Sequence, residues 1–198
     1  MCGRYFVEID ENELKEIVEE AERYSRNEPA QISFTGGEIF PSNVVPVVSS
    51  AGARFMKWGF PSLVKNRPPI INARSETAIT TRTFSDAMQH RRCLIPATAY
   101  FEWQTIDKKQ KLKYEFSLSE HGVFFMAAIF TPNKEFAILT REAIPEFIPI
   151  HDRMPVVIPR TLKDQWLHET PSVIERAFTD LQSRKADTDG PEQTSFLV

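Results

Sequence analysis

The stretch LIPATAYFEW at residues 94–103 consists of apolar, aromatic and small side chains, with Glu102 as its one charged residue. The β-branched and aromatic residues in it are typical of a β-strand. Similar short runs lie on both sides, separated by turn residues, at 44–48, 54–59, 70–74, 112–118, 123–130 and 135–140. Many short strands joined by turns predict a mainly antiparallel sheet system that can close into a barrel-like core.

A helix is predicted before these strands. Four apolar residues near the N-terminus recur at the spacing of one helix face: Leu14, Ile17, Val18 and Ala21. They predict a helix over about residues 11–24, and a second, short helix is predicted near residues 84–90. The fold class expected from this pattern is α+β, with a barrel-like sheet core flanked by helices.

The domain is expected to end shortly after a last helix. The pair Thr170-Pro171 has the residue types of a helix start, which predicts a helix over about residues 171–182. The residues that follow are mostly polar and include a Gly-Pro pair. We therefore expect one domain over residues 1–182 and a flexible C-terminal tail over residues 183–198.

The composition indicates an apolar core and a reducing compartment. The chain has 198 residues, of which 41% are hydrophobic, and no apolar run approaches the ~18 residues of a membrane span. Its two cysteines, Cys2 and Cys93, are too few for a disulfide framework and lack the spacing of a zinc site. A polar N-terminus predicts that no secretory signal is present. We expect a monomeric, cytoplasmic protein without cofactor, metal or membrane contact, whose protein partners the sequence does not identify.

Basic residues are concentrated in the middle of the chain. The net charge is −3, but residues 51–115 hold 12 Lys or Arg against 5 Asp or Glu. This excess is either a surface that neutralises phosphates or an ordinary solvated surface, and the charges alone do not decide between the two. Arg74 and Arg91 lie inside motif-like segments and are the better candidates for ordered phosphate contacts.

Cys2 would carry two nucleophiles if Met1 were removed. Its α-amine would then titrate near ~7.7, close to the ~8.5 of its thiol. An amine and a thiol on adjacent carbons condense with an aldehyde, first as a Schiff base and then as a five-membered thiazolidine ring. The alternative, in which Met1 stays and Cys2 has no chemical role, remains open from these residues alone.

Three other residues have side chains suited to aldehyde chemistry. Glu102 lies between aromatic residues, where loss of hydration raises the pKa of a carboxyl group and makes it a useful acid or base. His151 titrates near ~6.5 and can transfer protons. Asn72 offers two donors and an acceptor that could orient a sugar hydroxyl or the Cys2 amine. The alternatives are a solvent-facing strand carboxylate, a structural histidine and a turn asparagine.

Other residues are candidates for contacts with a nucleic acid. Arg4 and Arg74 could meet phosphates beside the reacting group. Trp58 and Phe60 follow a predicted strand and could stack on bases, a contact worth ~1–3 kcal/mol per base. Core packing is the alternative for these aromatic side chains, above all for Trp58.

Five segments occur together in one order. They read MCGRY at 1–5, WGF at 58–60, INARSET at 71–77, RRCLIPATAYFEW at 91–103 and IHDRMPVVI at 150–158. In this order and spacing the chain resembles the SRAP family, the SOS response-associated peptidases, which is associated with sensing abasic sites in single-stranded DNA. The resemblance implies that Cys2, Asn72, Glu102 and His151 form the site. The segments ATA before Tyr100 and AAIF at 127–130 depart from the family pattern without removing a reactive group.

Three hypotheses follow. The first is an abasic-site sensor that forms a thiazolidine crosslink between Cys2 and single-stranded DNA, with weak lyase activity as a side reaction of the Schiff base. The second is a thiol peptidase or autopeptidase that uses Cys2, Glu102 and His151 as nucleophile, orienting residue and base. The third is a single-strand-binding module without covalent chemistry, whose binding would not depend on Cys2.

Overall fold

Two β-sheets form most of the computed structural model, which describes residues 2–10, 12–26, 32–64, 66–108, 110–120, 122–177 and 180–186. The strands are β1 (Arg4–Val7), β2 (Gly37–Ile39), β3 (Val44–Ser49), β4 (Gly52–Trp58), β5 (Asn72–Arg74), β6 (Arg92–Ala97), β7 (Ala99–Thr105), β8 (Lys111–Leu118), β9 (Phe124–Phe130), β10 (Glu135–Glu142), β11 (Arg153–Pro155), β12 (Val157–Ile158) and β13 (Leu181–Lys185). The helices are α1 (Asn12–Ser25), α2 (Ser75–Ala78), α3 (Ser85–His90) and α4 (Lys163–His168). Short 3-10 turns span Arg160–Leu162 and Pro171–Arg176.

The larger sheet closes on itself. Its order is β11-β10-β4-β3-β6-β9-β12, and β10 also pairs with β9, so that β10, β4, β3, β6 and β9 form a ring. Strand β10 pairs in parallel with β4 and β5, whereas the other described pairings are antiparallel. The predicted α+β class with a mainly antiparallel, barrel-like core is therefore confirmed.

The smaller sheet has the order β13-β8-β7-β1-β2, with antiparallel pairing throughout. Its apolar side chains and those of the ring join in one continuous core. Tyr100 of β7 and Phe116 of β8 lie in this core, stacked with their ring centroids 4.5 Å apart. The space between the two sheets is thus filled mainly by apolar and aromatic residues.

The predicted strand at 94–103 is two strands that belong to different sheets. It breaks at Thr98, where β6 of the ring ends and β7 of the smaller sheet begins. Thr98 is bound at the break, because its backbone N–H donates to the Phe6 carbonyl at 2.9 Å and its hydroxyl accepts from the Glu8 N–H at 3.2 Å. This stretch therefore connects the two sheets, and it carries Glu102 onto the smaller one.

Helix α1 confirms the apolar stripe predicted from its spacing. Leu14, Ile17, Val18 and Ala21 are buried, and the helix packs against β3 and β4. The helix predicted near 84–90 is α3. None of the helices in the described ranges is long and apolar enough to cross a membrane.

The predicted last helix and the tail boundary need correction. Residues 171–176 form a 3-10 turn, which Thr170 caps by accepting from the Ser172 N–H at 3.3 Å. The chain then extends as β13, so Ser183–Lys185 belong to the sheet and not to a tail. The physical reason is the open edge of β8, whose unpaired backbone groups are satisfied by an added strand. The remainder of the predicted tail, 187–198, lies outside the described residues.

Candidate active site

Cys2 lies two residues before β1 and is buried, with its thiol 3.8 Å from the Arg4 carbonyl. Burial raises the pKa of the Cys2 thiol far above its ordinary value, and the nearby negative charge of Glu102 raises it further. The resting group is consequently a thiol and not a thiolate. Any attack by this sulfur requires a neighbouring base that removes the proton.

Asn72 holds the backbone of Cys2 from the opposite sheet. It lies at the start of β5, and its Nδ2 donates to the Cys2 carbonyl at 2.8 Å. Its Oδ1 is buried and has no hydrogen-bond partner among the described residues. An unsatisfied buried acceptor costs about 1–3 kcal/mol, so this oxygen is suited to accept a hydrogen bond from a group that binds beside Cys2.

Glu102 supplies a carboxyl group that can act as acid or base at neutral pH. It lies on β7 opposite Tyr114 and is 4% exposed. Burial is the main cause that raises its pKa from 4.5 to about 7. Protonated and ionised forms are therefore both populated near pH 7, which is the condition for efficient proton transfer in either direction.

His151 completes the group, from the segment that precedes β11. Its Nε2 is 3.9 Å from Glu102 Oε2, a distance longer than that of a hydrogen bond. Burial lowers the pKa of its imidazole, so the ring is neutral at pH 7. The site thus lies between the two sheets: Cys2 precedes β1 and Glu102 lies on β7 of the smaller sheet, whereas Asn72 lies on β5 and His151 precedes β11 of the larger.

The contacts of His151 Nδ1 indicate which ring nitrogen carries the proton. The Arg153 backbone N–H donates to Nδ1 at 3.0 Å, whereas Asp152 Oδ1 lies 3.0 Å from the same atom. A neutral ring cannot satisfy both, because the first contact needs a lone pair on Nδ1 and the second needs a proton. We assign the lone pair to Nδ1, since the backbone donor is fixed and the Asp152 side chain is 83% exposed. The proton then lies on Nε2, toward Glu102.

Two tyrosines in this site were not predicted from the sequence. Tyr5 and Tyr100 face each other across β1 and β7, and burial is the main cause that raises the pKa of both phenols. The Tyr5 hydroxyl is buried and has no hydrogen-bond partner among the described residues. The signal that could have found Tyr100 is its position two residues before Glu102, which in a strand places both side chains on one face.

Arg74 is an available cation near the site. It ends β5, two residues after Asn72, and its side chain is exposed. Its side chain makes no hydrogen bond or ion pair with another described residue, unlike the side chains of the other arginines that we predicted to contact DNA. Its placement leaves the predicted phosphate contact open as a hypothesis.

Arg4 and Arg91 are both held by other parts of the protein. Arg4 is 8% exposed, its Nη1 lies 3.2 Å from Glu38 Oε1, and its guanidinium lies over the Phe40 and Trp103 rings. Arg91 donates from Nε to the Phe130 carbonyl at 3.0 Å and pairs with Asp86.

The structure thus gives both arginines internal contacts, and their predicted contacts with DNA stay predictions. The side chain of Arg4 is on the face of β1 opposite to Tyr5, as strand alternation requires. Arg91 connects α3 to the end of β9. A phosphate would have to compete with an existing carboxylate at each position.

The aromatic residues predicted to stack on bases, Trp58 and Phe60, lie in the core of this structure. Trp58 is fully buried, its Nε1 donates to the Ile71 carbonyl at 2.9 Å, and its ring stacks on Phe136 at 6.3 Å. Phe60 is 5% exposed and contacts the Phe84 ring edge-on at 5.3 Å. Core packing, the alternative interpretation, is what the structure shows for both.

The structure places a thiol, a carboxyl and an imidazole group together between two sheets, in a mainly antiparallel α+β fold. The chain belongs to the SOS response associated peptidase (SRAP) family, whose family model matches residues 1–189.

Known relatives agree with this assignment. The chain is 28% identical to the abasic site processing protein YedK of Escherichia coli (strain K12), over 85% of this chain and 80% of that protein. It is 26% identical to the abasic site processing protein YoqW of Bacillus subtilis (strain 168), over 100% of this chain and 94% of the relative.

Solved structures show the same fold. A protein from Bacteroides thetaiotaomicron superposes with a TM-score of 0.74 at 19% identity, over 95% of this chain and 93% of that one. A phage-related protein from Bordetella bronchiseptica superposes with a TM-score of 0.70 at 18% identity, over 93% and 94% of the two chains.

Proposed function

We propose that this protein captures abasic sites in single-stranded DNA by forming a covalent thiazolidine crosslink through Cys2, after removal of Met1. The observation that carries the proposal is that Asn72, Glu102 and His151 lie around Cys2. Its carbonyl is held by Asn72, and Glu102, beside His151, acts electrostatically on its thiol. The relatives named as abasic site processing proteins support the substrate class.

The proposed reaction begins with the amine. An abasic deoxyribose in its open form carries an aldehyde at C1′, and the Cys2 α-amine adds to this carbon to give a carbinolamine. Loss of the hydroxyl group as water gives the imine. The Cys2 sulfur then bonds to C1′, and its proton is transferred to the nitrogen through the base. The product is the thiazolidine plus one water molecule, and no cofactor takes part.

Each site residue has a role that follows from its geometry. Glu102, with a pKa of about 7, donates a proton to the departing hydroxyl group in its acid form and accepts the thiol proton in its ionised form. Asn72 fixes Cys2, and its Oδ1 accepts from the amine or a sugar hydroxyl. The Nε2–H of His151 adds a donor beside Glu102. Arg74 contacts a neighbouring phosphate.

A peptidase that acts on other proteins has less support. Thiol peptidases use a thiolate whose pKa is lowered by a nearby imidazolium ion. Here the pKa of the Cys2 thiol is raised and His151 is neutral. The buried thiol fits a reaction in which the amine attacks first, so turnover of added peptides is not expected.

Intact mass spectrometry tests the proposal. The purified protein is expected to lack Met1, and incubation with an abasic single strand should add the mass of that strand minus one water. The Cys2→Ala variant keeps Cys93 as an internal thiol control and should form no heat-stable adduct. Equal adduct yield in Cys2→Ala would overturn the proposal, and binding unchanged by this substitution without any adduct would favour a non-covalent binding module.

A further inference from the structure

A bidentate ion pair joins α2 to β11. Arg153 Nη1 donates to Glu76 Oε1 and Arg153 Nη2 to Glu76 Oε2, each at 2.8 Å. The Arg153 side chain is only 10% exposed, and its Nη2 also donates to the Thr140 carbonyl at 2.7 Å. The guanidinium group holds the pKa of Glu76 below its ordinary value. A two-point contact of this kind fixes the orientation of both side chains.

This pair lies between two segments that carry site residues. Glu76 follows Asn72 by four positions, at the end of β5 and the start of α2. Arg153 follows His151 by two positions, and its backbone N–H donates to His151 Nδ1. Thr140 of β10 pairs with Arg74 on one side and with Pro155 on the other. The ion pair therefore joins the Asn72 segment and the His151 segment across β10.

The position of the Arg153 backbone determines the tautomer of His151. While its N–H donates to Nδ1, the ring proton must reside on Nε2, toward Glu102. If Arg153 shifts, Asp152 Oδ1 at 3.0 Å from Nδ1 can accept a proton from that nitrogen instead. The Nε2 atom would then become an acceptor. Among the described residues, the charged side chains that act on His151 are Glu102, Asp152 and Arg153.

We propose that Glu76 is a positioning residue, which holds Arg153 so that His151 keeps its Nε2–H tautomer next to Glu102. This inference rests on the proposed function for its effect on the reaction rate. The tautomer itself is a property of the folded protein and can be measured without DNA. Glu76 is outside the contacts of Cys2 and acts only through Arg153.

The test compares Glu76→Gln with a matched control. Gln keeps the volume of Glu76 but removes the charge and one of the two acceptors. The control Glu13→Gln breaks another partly exposed carboxylate contact, with Arg160 and Lys163, that involves no site residue. Three quantities are measured for each protein: the crosslinking rate at saturating abasic DNA across pH, the affinity for an intact single strand, and the ¹⁵N shifts of the His151 ring.

Glu76→Gln should crosslink more slowly at saturating DNA, by up to about 10²-fold, because a small displacement of a reacting group has a cost of this size. Its His151 ring should show a population with the proton on Nδ1, and its pH profile should differ from that of the wild type. Glu13→Gln should match the wild type in all three measurements. Arg153→Lys, which keeps the backbone donor and the charge but lacks the two-point contact, should fall between them.

Two results would overturn the inference. One is a Glu76→Gln protein whose tautomer, pH profile and saturating rate equal those of the wild type, whatever its thermal stability. The other is a loss of DNA affinity alone, which would make Glu76 a determinant of binding. If the wild type forms no adduct, the proposed function fails, while the ¹⁵N shifts still decide whether Glu76 controls His151.

Discussion

His151 Nε2 lies 3.9 Å from Glu102 Oε2, between the two sheets that form the site. Burial affects the two groups in opposite ways, because it raises the pKa of Glu102 to about 7 and lowers that of His151. Near neutral pH the carboxyl group is therefore the one that changes its protonation state. The imidazole is neutral, and the ring nitrogen to which we assign its proton, Nε2, is the one that lies near Glu102.

The pH dependence of crosslinking should identify the titrating residue. We expect two titrations in the wild-type rate, that of the Cys2 α-amine near ~7.7 and that of Glu102 near pH 7; Glu102→Gln should lose the second and His151→Ala should retain both. Both substitutions should slow adduct formation, within the ~10²–10⁴-fold range for loss of an acid or base. The measurement is a time course of adduct formation at several pH values, with circular dichroism to verify folding. A pH profile of Glu102→Gln with the same shape as that of the wild type would show that Glu102 does not titrate in the reaction.

Glu102 should also decrease stability at alkaline pH. The pKa of Glu102 is higher in the folded protein than its ordinary 4.5, so folding favours the protonated carboxyl group. The resulting contribution to the free energy of unfolding is complete below about pH 4.5 and is lost as the pH rises through about 7. The difference amounts to at most about 3 kcal/mol. Glu102→Gln should thus be more stable than the wild type at pH 8, and the gap should close toward pH 5. Denaturant unfolding at the two pH values measures this, and a constant difference would contradict the raised pKa.

Asn72→Ala should lower both the rate of adduct formation and the free energy of unfolding. The substitution leaves the Cys2 carbonyl without its donor, which should cost about 1–3 kcal/mol in the free energy of unfolding. It also removes the Oδ1 acceptor, so adduct formation should be slower even where the protein is fully folded. Unfolding curves and crosslinking rates at saturating DNA separate the two effects. A normal rate in the folded variant would limit Asn72 to a structural role.

Arg74→Ala should weaken the binding of intact single strands. If this side chain neutralises one phosphate, the slope of the logarithm of the binding constant against the logarithm of the salt concentration should also become shallower by about one. Arg91→Ala is the control, because Arg91 is already bound to Asp86 and the Phe130 carbonyl. It should lower thermal stability and leave the salt dependence unchanged. If Arg91→Ala reduced the salt dependence and Arg74→Ala lowered only the thermal stability, Arg91 and not Arg74 would be the residue that contacts a phosphate.

Trp58→Phe should affect stability alone. The variant keeps an aromatic ring against Phe136 but loses the Nε1–H donor to the Ile71 carbonyl, which should cost about 1 kcal/mol. Affinity for single-stranded DNA, measured by fluorescence anisotropy at fixed salt, should not change. Weaker binding at unchanged stability would restore Trp58 as a base-stacking residue.

Local sequence patterns predicted much of the fold. The stripe of Leu14 and Ile17 predicted α1, because helix periodicity is a local property. Ring closure depends on parallel pairing of β10 with β4 and β5, which joins residues far apart in sequence. No local pattern carries that information. The strand β13 was missed because its residues are polar and pair only with the exposed edge of β8.

The sequence allowed us to predict which residues form the site, but not most of the contacts between them. Cys2 and Glu102 could be named as reactive groups, but the bond from Asn72 to the Cys2 carbonyl spans 70 positions and appears only in the folded chain. Trp58 and Phe60 show the converse limit, since an aromatic residue after a strand looks the same in sequence whether it is exposed or buried. The structure shows that the Trp58 side chain is in the core, where its ring packs against the rings of Tyr5 and Phe136.

The proposed reaction requires the Cys2 amine and the Cys2 thiol together. A protein in which only the amine is blocked shows whether this requirement holds. The yield of heat-stable adduct with abasic single-stranded DNA is measured for the wild type and for a protein with one extra residue that remains ahead of Cys2, after both are shown to be folded. We expect a stable adduct in the wild type and none in the extended protein, because an acylated nitrogen cannot form the imine. If the extended protein gave as much adduct as the wild type, the Cys2 amine would not take part in the reaction.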